Sequence, residues 1–439
     1  LTAARSADFH EKWVVGYGHA SVAEHAVLHI AVENLSRLAV ESLESNRLAS
    51  YTEKSTRYQQ WGPDDFFIPP ELDHHLLRER FVDTCRDLFD TYTRCLDPVL
   101  AAVKRETPRD PEETEDAWLR RVRPQGVDVC RFLLPAAALA NVGMTINARA
   151  LEHAISKMLS HPLAEVRAIG TEIKTAARQS IPTLVKCADA VAYLQSAGER
   201  LTAQSAATSQ SLEVLDPGDT PWCRLVHFDA DAEIRILAAA LYRFGRQPYA
   251  QALAAVQAMP PAGRIQLAQA VLADLGPHDT PLRELEYAAF TFDVILDQGA
   301  YAELKRHRMM TQTPQALTAA LGYALPRRFV AAGVADDVCR ALDSAHQTWA
   351  ALAGFNPALA SYIVPNGFNR RVLINTNLRS LMHFLALRTA PNAHFSIRRV
   401  ARRMAELVQQ AAPLLGAYLH IHPGETWQQV EQDHFETTA

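Results

Sequence analysis

The chain has 439 residues, 48% hydrophobic and 21% charged, with 44 basic and 49 acidic side chains and a formal charge of -5. That length and apolar content suit two folded domains and exclude general disorder, and the near balance of charge offers no long-range attraction to a polyanion, so nucleic acid is not expected as a partner. No apolar run approaches the roughly 20 residues of a membrane-spanning helix and no signal-like segment opens the chain, which points to a cytoplasmic protein with no membrane partner.

Leu1 is not a methionine and strong patterning begins almost at once, so the start of the first domain is expected to be missing. From Glu24 the chain runs EHAVLHIAVENLSRLAVESLESNRLASY. Leu28, Ile30 and Val32 alternate with His29, Ala31 and Glu33, as in a half-buried strand. Ser36 then stands where a helix cap is needed, and apolar positions recur at helical spacing up to Asn46. RETPRDPEETEDAW, residues 105–118, is a charged, proline-containing excursion that reads as a surface loop or an exposed helix start. FLLPAAALANVGMTINARALEHAISKML reads as a short strand, a capping asparagine at Asn147 and a helix, followed by a long helix over about Leu163 to Val185.

Residues 202–221 are polar, rich in small residues and broken by Pro and Gly, which predicts a linker between a domain of residues 1–201 and one of residues 222–439. The second domain opens on a short strand, Cys223 to Phe228, and then repeats the first. Phe290, Phe292 and Val294 alternate, Asp297 takes the cap position, and a helix runs to His307. YIVPNGFNRRVLINTNLRSLMHFLALR keeps the spacing from Pro365 to Asn377 that the first copy has from Pro135 to Asn147, and a long helix follows over Ile397 to Tyr418. Six scattered cysteines, Cys85, Cys95, Cys130, Cys187, Cys223 and Cys339, have no metal-like spacing and read as small core residues.

These residues resemble the flavin-dependent thymidylate synthases, whose signature R-H-R-x-x-S-x-N-E-x-S-x-R follows a strand and helix. The first copy, SNRLASYTEKSTR, keeps Arg47, Ser50, Glu53, Ser55 and Arg57 but has Ser45 and Asn46 in place of the leading Arg-His. The second keeps Arg306, His307 and Arg308 and loses the tail in MMTQTPQALT. The upstream element, roughly H-x-[ST]-x-x-E-H, appears as His19, Ser21, Glu24 and His25, and more loosely as His278, Thr280, Pro281 and Glu286. The downstream N-x-R element with a later arginine is Asn377, Arg379, His383 and Arg388 in copy two; copy one has Asn147, Arg149 and His153, with Met158 at the late position and Lys157 beside it. Conversely, Arg131 stands just before Leu-Pro in copy one where copy two has Ser361.

The resemblance implies an α+β protein of two tandem ThyX-like (thymidylate-synthase-complementing) domains, each a small sheet flanked by long helices. It implies reductive methylation of dUMP to dTMP with FAD as cofactor and NADPH and methylenetetrahydrofolate as co-substrates. It assigns dUMP to Glu53, Ser55, Arg57, Arg131 and Arg388, with Arg388 catalytic. It assigns FAD to Ser21, Arg47, Asn147, Arg149, His153, Arg306, His307, Arg308, Asn377, Arg379 and His383. No metal is implied. Family members are homotetramers with sites between subunits, so a homodimer of this chain would form a pseudo-tetramer. The chemistry agrees with these residue types. A phosphate monoester takes charge-assisted, often bidentate donors, and an arginine near the pyrimidine can stabilise charge that develops on its carbonyl oxygens. No protein nucleophile is required.

Each residue also has a plainer reading. Asn147 and Asn377 serve as helix caps, an Arg-His-Arg run at a helix end suits the dipole, His153 and His383 fit as hydrogen-bonded helix residues, and Arg388 fits as a rim residue paired with an acid. Two other functions stay open: a catalytically degenerate nucleotide- or flavin-binding or regulatory protein, and a related flavin-dependent one-carbon transfer on another nucleotide.

Overall fold

The computed structural model describes residues 3–209 and 221–436. The chain divides into two compact units, one of Leu1–Asp216, Thr318–Ala320 and Ala332–Asn366, the other of Pro217–Leu317, Leu321–Ala331 and Gly367–Ala439. Residues 202–209 of the linker segment are the end of a helix, Ala192–Ser209, and 210–220 lie outside the described residues.

In the first unit the strands β1 (Val27–Ser36), β2 (Ala49–Glu53) and β3 (Leu139–Asn147) form an antiparallel sheet in the order β1-β3-β2. In the second, β4 (Cys223–Phe228), β5 (Ala289–Asp297), β6 (Thr311–Pro314) and β7 (Asn369–Asn377) are ordered β4-β5-β7-β6. The last three strands repeat the first sheet: Val27 faces Asn147 as Ala289 faces Asn377, and Ser36 faces Leu139 as Asp297 faces Asn369. β1 has 10 residues to the 9 of β5. A bulge between Val32 and Leu35 absorbs the extra one. There Asn34 takes a φ of 58°, and its N–H donates to Asn141 Oδ1 at 2.8 Å.

The predicted caps hold in both copies. Ser36 accepts from Ala39 N–H at the start of the Arg37–Glu44 helix, and Asp297 accepts from Ala300 N–H at the start of Gln298–Leu304. Asn147 and Asn377 cap Ala148–Leu159 and Leu378–Arg388 through Ala150 and Ser380. The two long helices are shorter than the periodicity predicts. The first is Ala164–Arg178, and the second, Phe395–Ala411, stops ahead of Pro413, which cannot continue the hydrogen-bond ladder. The 105–118 excursion is the end of Arg78–Glu106, a loop, and the start of Glu115–Cys130 capped by Thr114. Cys85, Cys95, Cys130 and Cys223 are buried as expected, whereas Cys187 is exposed and Cys339 half-buried.

The segment Ala332–Asn366, second-repeat by sequence, packs within the first unit. Its helix Ala335–Phe355 lies on Arg78–Glu106, with Thr348 Oγ1 2.9 Å from Thr84 Oγ1 and 3.2 Å from Arg80 Nε. Beyond it Tyr362 O and Val364 O accept from Ala137 and Ala136 N–H at 2.7 and 2.9 Å, so Pro135 bridges to its own repeat counterpart, Pro365. Among the described residues no helix is long and apolar enough to cross a membrane.

Candidate functional site

Two arginine clusters are built, one in each unit. In the first, the chain leaves β2 at Glu53 and turns through Ser55, Thr56 and Arg57. The Glu53 carboxylate is taken by Arg37, Nη1 to Oε1 at 2.8 Å. Arg57 makes a two-pronged contact with Asp128, Nε to Oδ1 at 2.8 Å and Nη2 to Oδ2 at 2.6 Å. Arg131, in the turn that follows Glu115–Cys130, reaches back three residues to the same carboxylate, Nη2 to Oδ1 at 2.5 Å, and donates from Nη1 to Thr56 Oγ1 at 2.9 Å. Ser55 is exposed, and its hydroxyl accepts from Arg57 N–H at 3.3 Å. The structure therefore brings Ser55, Arg57 and Arg131 together. Two guanidinium groups share one carboxylate, which leaves the group net positive and able to receive an anion.

In the second unit the cluster forms where Gln298–Leu304 ends against the last turn of Leu378–Arg388. Arg388 donates from Nη1 to Glu303 Oε2 at 2.6 Å, from Nη2 to the Glu303 carbonyl at 3.3 Å, and from Nε to His307 Nε2 at 3.0 Å. His307 is buried, with its ring edge-on to Phe384 at 4.9 Å and to His383 at 5.8 Å. Burial, reinforced by the positive charge of Arg388 and by His383 and Arg306, pushes its pKa down to about 3. His307 is thus neutral at pH 7. Because its Nε2 accepts from an arginine, the ring proton belongs on Nδ1. Gln312 Nε2 pins the backbone there, donating to the carbonyls of Leu304 and His307 at 3.1 and 3.0 Å. Arg306 is exposed and Arg308 half-buried on either side.

The N-x-R arginines behave alike in both copies. Arg149 pairs with Glu24 at 2.5 Å. Arg379 pairs with Glu286 at 2.7 Å and donates to the Pro281 carbonyl at 2.9 Å. Each ties a helix entry to the turn of the upstream element. Ser21 lies exposed on the first of these turns, Ala20–His25. Arg47, His153 and His383 are exposed, and Asn147 and Asn377 are occupied as caps.

Sequence reasoning missed Asp128, Thr56 and Glu303. Asp128 three residues before Arg131 and Glu303 four before His307 have spacings ordinary on any helix, so neither acid is singled out until the arginines are placed. Thr56 gave no signal inside a loop.

The sheet repeated with its cap and helix, and carrying a different arginine cluster in each copy, defines a tandem α+β protein. The family model described as thymidylate synthase complementing protein matches residues 2–183 and 224–414, and the chain belongs to that family. A UPF0159 protein of Chlamydia muridarum is 32% identical over 429 residues, covering 94% of this chain and 81% of its own length. A flavin-dependent thymidylate synthase of Thermococcus onnurineus is 32% identical over 152 residues, 34% of this chain and 53% of that protein. Among solved structures, a UMP/dUMP methylase PolB from Streptomyces cacaoi bound with 5-Br dUMP is matched with a TM-score of 0.36 at 19% identity, over 46% of this chain and 97% of that one; at that level the likeness carries no functional weight.

Proposed function

We propose that the chain is a flavin-dependent thymidylate synthase that methylates dUMP to dTMP with methylenetetrahydrofolate as carbon donor, FAD as cofactor and NADPH as reductant. The observation that supports this most is the division of labour between the repeats. The cluster suited to a phosphate is whole in the first and absent at the matching positions of the second, where Thr318 and Ser361 replace Arg57 and Arg131. The cluster suited to a flavin and a pyrimidine is whole in the second, whereas the first keeps Arg47, Asn147, Arg149 and His153 but has Ser45, Asn46 and Met158 in place of Arg306, His307 and Arg388. In this reading Ser55, Arg57 and Arg131 of one chain and Arg306, His307, Arg308, Asn377, Arg379, His383 and Arg388 of another complete a site in a homodimeric pseudo-tetramer.

The donor set fits an anionic dinucleotide. Arg306 and Arg308 flank a histidine whose neutral state lets it offer an Nδ1 proton, and Arg306 lies at the surface. When bound, the flavin supplies the hydride that reduces the uracil ring. The chain's residues do the rest: Arg57 and Arg131 hold the phosphate of dUMP, and Arg388, fixed in orientation by Glu303 and His307, presents positive charge where a carbonyl oxygen gains negative charge. Glu53, engaged by Arg37, shapes the turn that carries Ser55 and Arg57.

The test is to purify the chain, record its visible spectrum, and follow NADPH oxidation and dTMP formation with dUMP and methylenetetrahydrofolate. A yellow protein with both activities supports the proposal. A colourless protein without turnover replaces it with the non-catalytic binding reading, and flavin-dependent NADPH oxidation that ignores dUMP points to another nucleotide.

A further inference from the structure

We infer that Asp128 is a positioning residue for the phosphate site, acting through Arg57 and Arg131; the inference rests on the phosphate reading above. Three observations carry it. First, the carboxylate accepts from three guanidinium nitrogens on two arginines that are far apart in sequence, Nε and Nη2 of Arg57 at 2.8 and 2.6 Å and Nη2 of Arg131 at 2.5 Å. A planar fork gripped along one edge has its opposite edge fixed in direction.

Second, the acid lies beneath the bases. Its side chain is 10% exposed against 28% for Arg57 and 19% for Arg131, so an anion arriving from solvent meets guanidinium before carboxylate. A resident acid that merely filled the anion's place would be the more exposed partner. Third, the acid travels with the arginines: at the matching positions of the second repeat, where Thr318 and Ser361 replace them, Ala358 replaces Asp128.

Positioning makes a prediction opposite to simple electrostatics. Replacing the carboxylate by an amide adds one net positive charge, which on charge alone strengthens anion binding. If Asp128 instead aligns the two forks, the loss of alignment dominates. The amide also turns an N–H₂ toward a guanidinium, where no acceptor remains.

The experiment measures dissociation constants for dUMP and for deoxyuridine, which lacks the phosphate, by calorimetry on the full chain, for wild type, Asp128→Asn and Asp128→Glu. We expect Asp128→Asn to weaken dUMP by about tenfold or more, the scale of a charge-assisted contact, with deoxyuridine changed little and Asp128→Glu recovering part of the loss. General loosening of the fold would weaken both ligands together, so an unchanged preference for dUMP over deoxyuridine overturns the inference, as does tighter dUMP binding by Asp128→Asn. If wild type shows no preference for dUMP over deoxyuridine, the phosphate reading itself fails and takes this inference with it. Loss of dUMP preference in Arg57→Ala, with Asp128→Asn like wild type, leaves the phosphate reading standing and removes only Asp128.

Discussion

At the end of the helix after its first long strand, the second unit sets Glu303 and His307 against Arg388; at the matching positions the first unit has Ser42, Asn46 and Met158. Met158 is fully buried there, and the next helix closes so tightly that a Cβ on Gly170 would lie 2.9 Å from Met158 Cβ. The Arg57 cluster shows the reverse, with Arg57, Asp128 and Arg131 opposed by Thr318, Ala358 and Ser361. The lesson is that charged residues come and go as sets. A half-buried arginine left without its acid is more costly than removal of both, and at the matching positions each acid is absent where its arginine is absent.

The caps show the same coupling in miniature. In the first unit Ser36 caps the helix, and Glu165 of the following long helix accepts from Ser36 N–H and Oγ at 2.7 and 2.6 Å and from Tyr362 Oη at 2.7 Å. Burial raises the pKa of this carboxyl. In the second unit the acid has moved to the cap itself, Asp297, and the long helix supplies the hydroxyl, Ser396, which donates to it. One acid and one hydroxyl remain, on exchanged elements.

These contrasts can be broken deliberately. The largest effect belongs to Arg388→Met, which installs the first unit's residue in the second: dTMP formation should fall about 100- to 1,000-fold, the scale for a lost charge-stabilising donor, as read from steady-state turnover. Arg57→Ala should raise the dUMP dissociation constant about 100-fold, within the range of a bidentate charge-assisted contact, while the protein keeps its flavin colour; His307→Ala should do the opposite and release flavin on gel filtration. Met158→Arg, the reverse graft, should confer no activity and should cost about 3 kcal/mol or more in denaturant unfolding, because a buried charge arrives without its acid.

Smaller effects sharpen the cap comparison. Asp297→Ser alone should cost about 1–2 kcal/mol, and adding Ser396→Glu should recover most of it, because the pair then matches Ser36 and Glu165; additive losses would show that the two sites are uncoupled. The smallest concerns pH. Folding depresses the His307 pKa from an ordinary 6.5 to about 3, so protons favour the unfolded chain. The stability contributed by the neutral ring is complete above about pH 6.5 and is lost as pH falls toward 3. His307→Asn should therefore flatten part of the fall in melting temperature between pH 6.5 and pH 4, and an identical fall in both proteins would count against a buried neutral histidine.

Much of this was legible in the sequence because the repeat could be checked against itself. The alternation of Leu28, Ile30 and Val32 and the caps Ser36, Asp297, Asn147 and Asn377 follow from local periodicity and hydrogen-bonding chemistry, and the tandem α+β arrangement from the resemblance that the repeated motifs carry. The signature residues Ser55, Arg57 and Arg131, and His307, His383 and Arg388, were found as candidates, and each group converges in its own unit. What the sequence did not yield was tertiary. Nothing local assigns Ala332–Asn366 to the first unit, because the face of Ala335–Phe355 that packs on Arg78–Glu106 reads like any amphipathic helix. Asp128 and Glu303 look like ordinary helix acids until the arginines that face them are placed. Helix ends also escaped, since apolar spacing continues past Arg178 and past Pro413 after the hydrogen-bond ladder has stopped.

The account depends on the two arginine clusters serving one bound nucleotide beside one flavin, and a dUMP titration of the purified protein watched in the flavin absorption band tests that most directly. The account predicts a saturable spectral change in wild type that disappears in Arg57→Ala while the flavin stays bound. A flavin spectrum indifferent to dUMP, or a change that survives loss of Arg57, would contradict it.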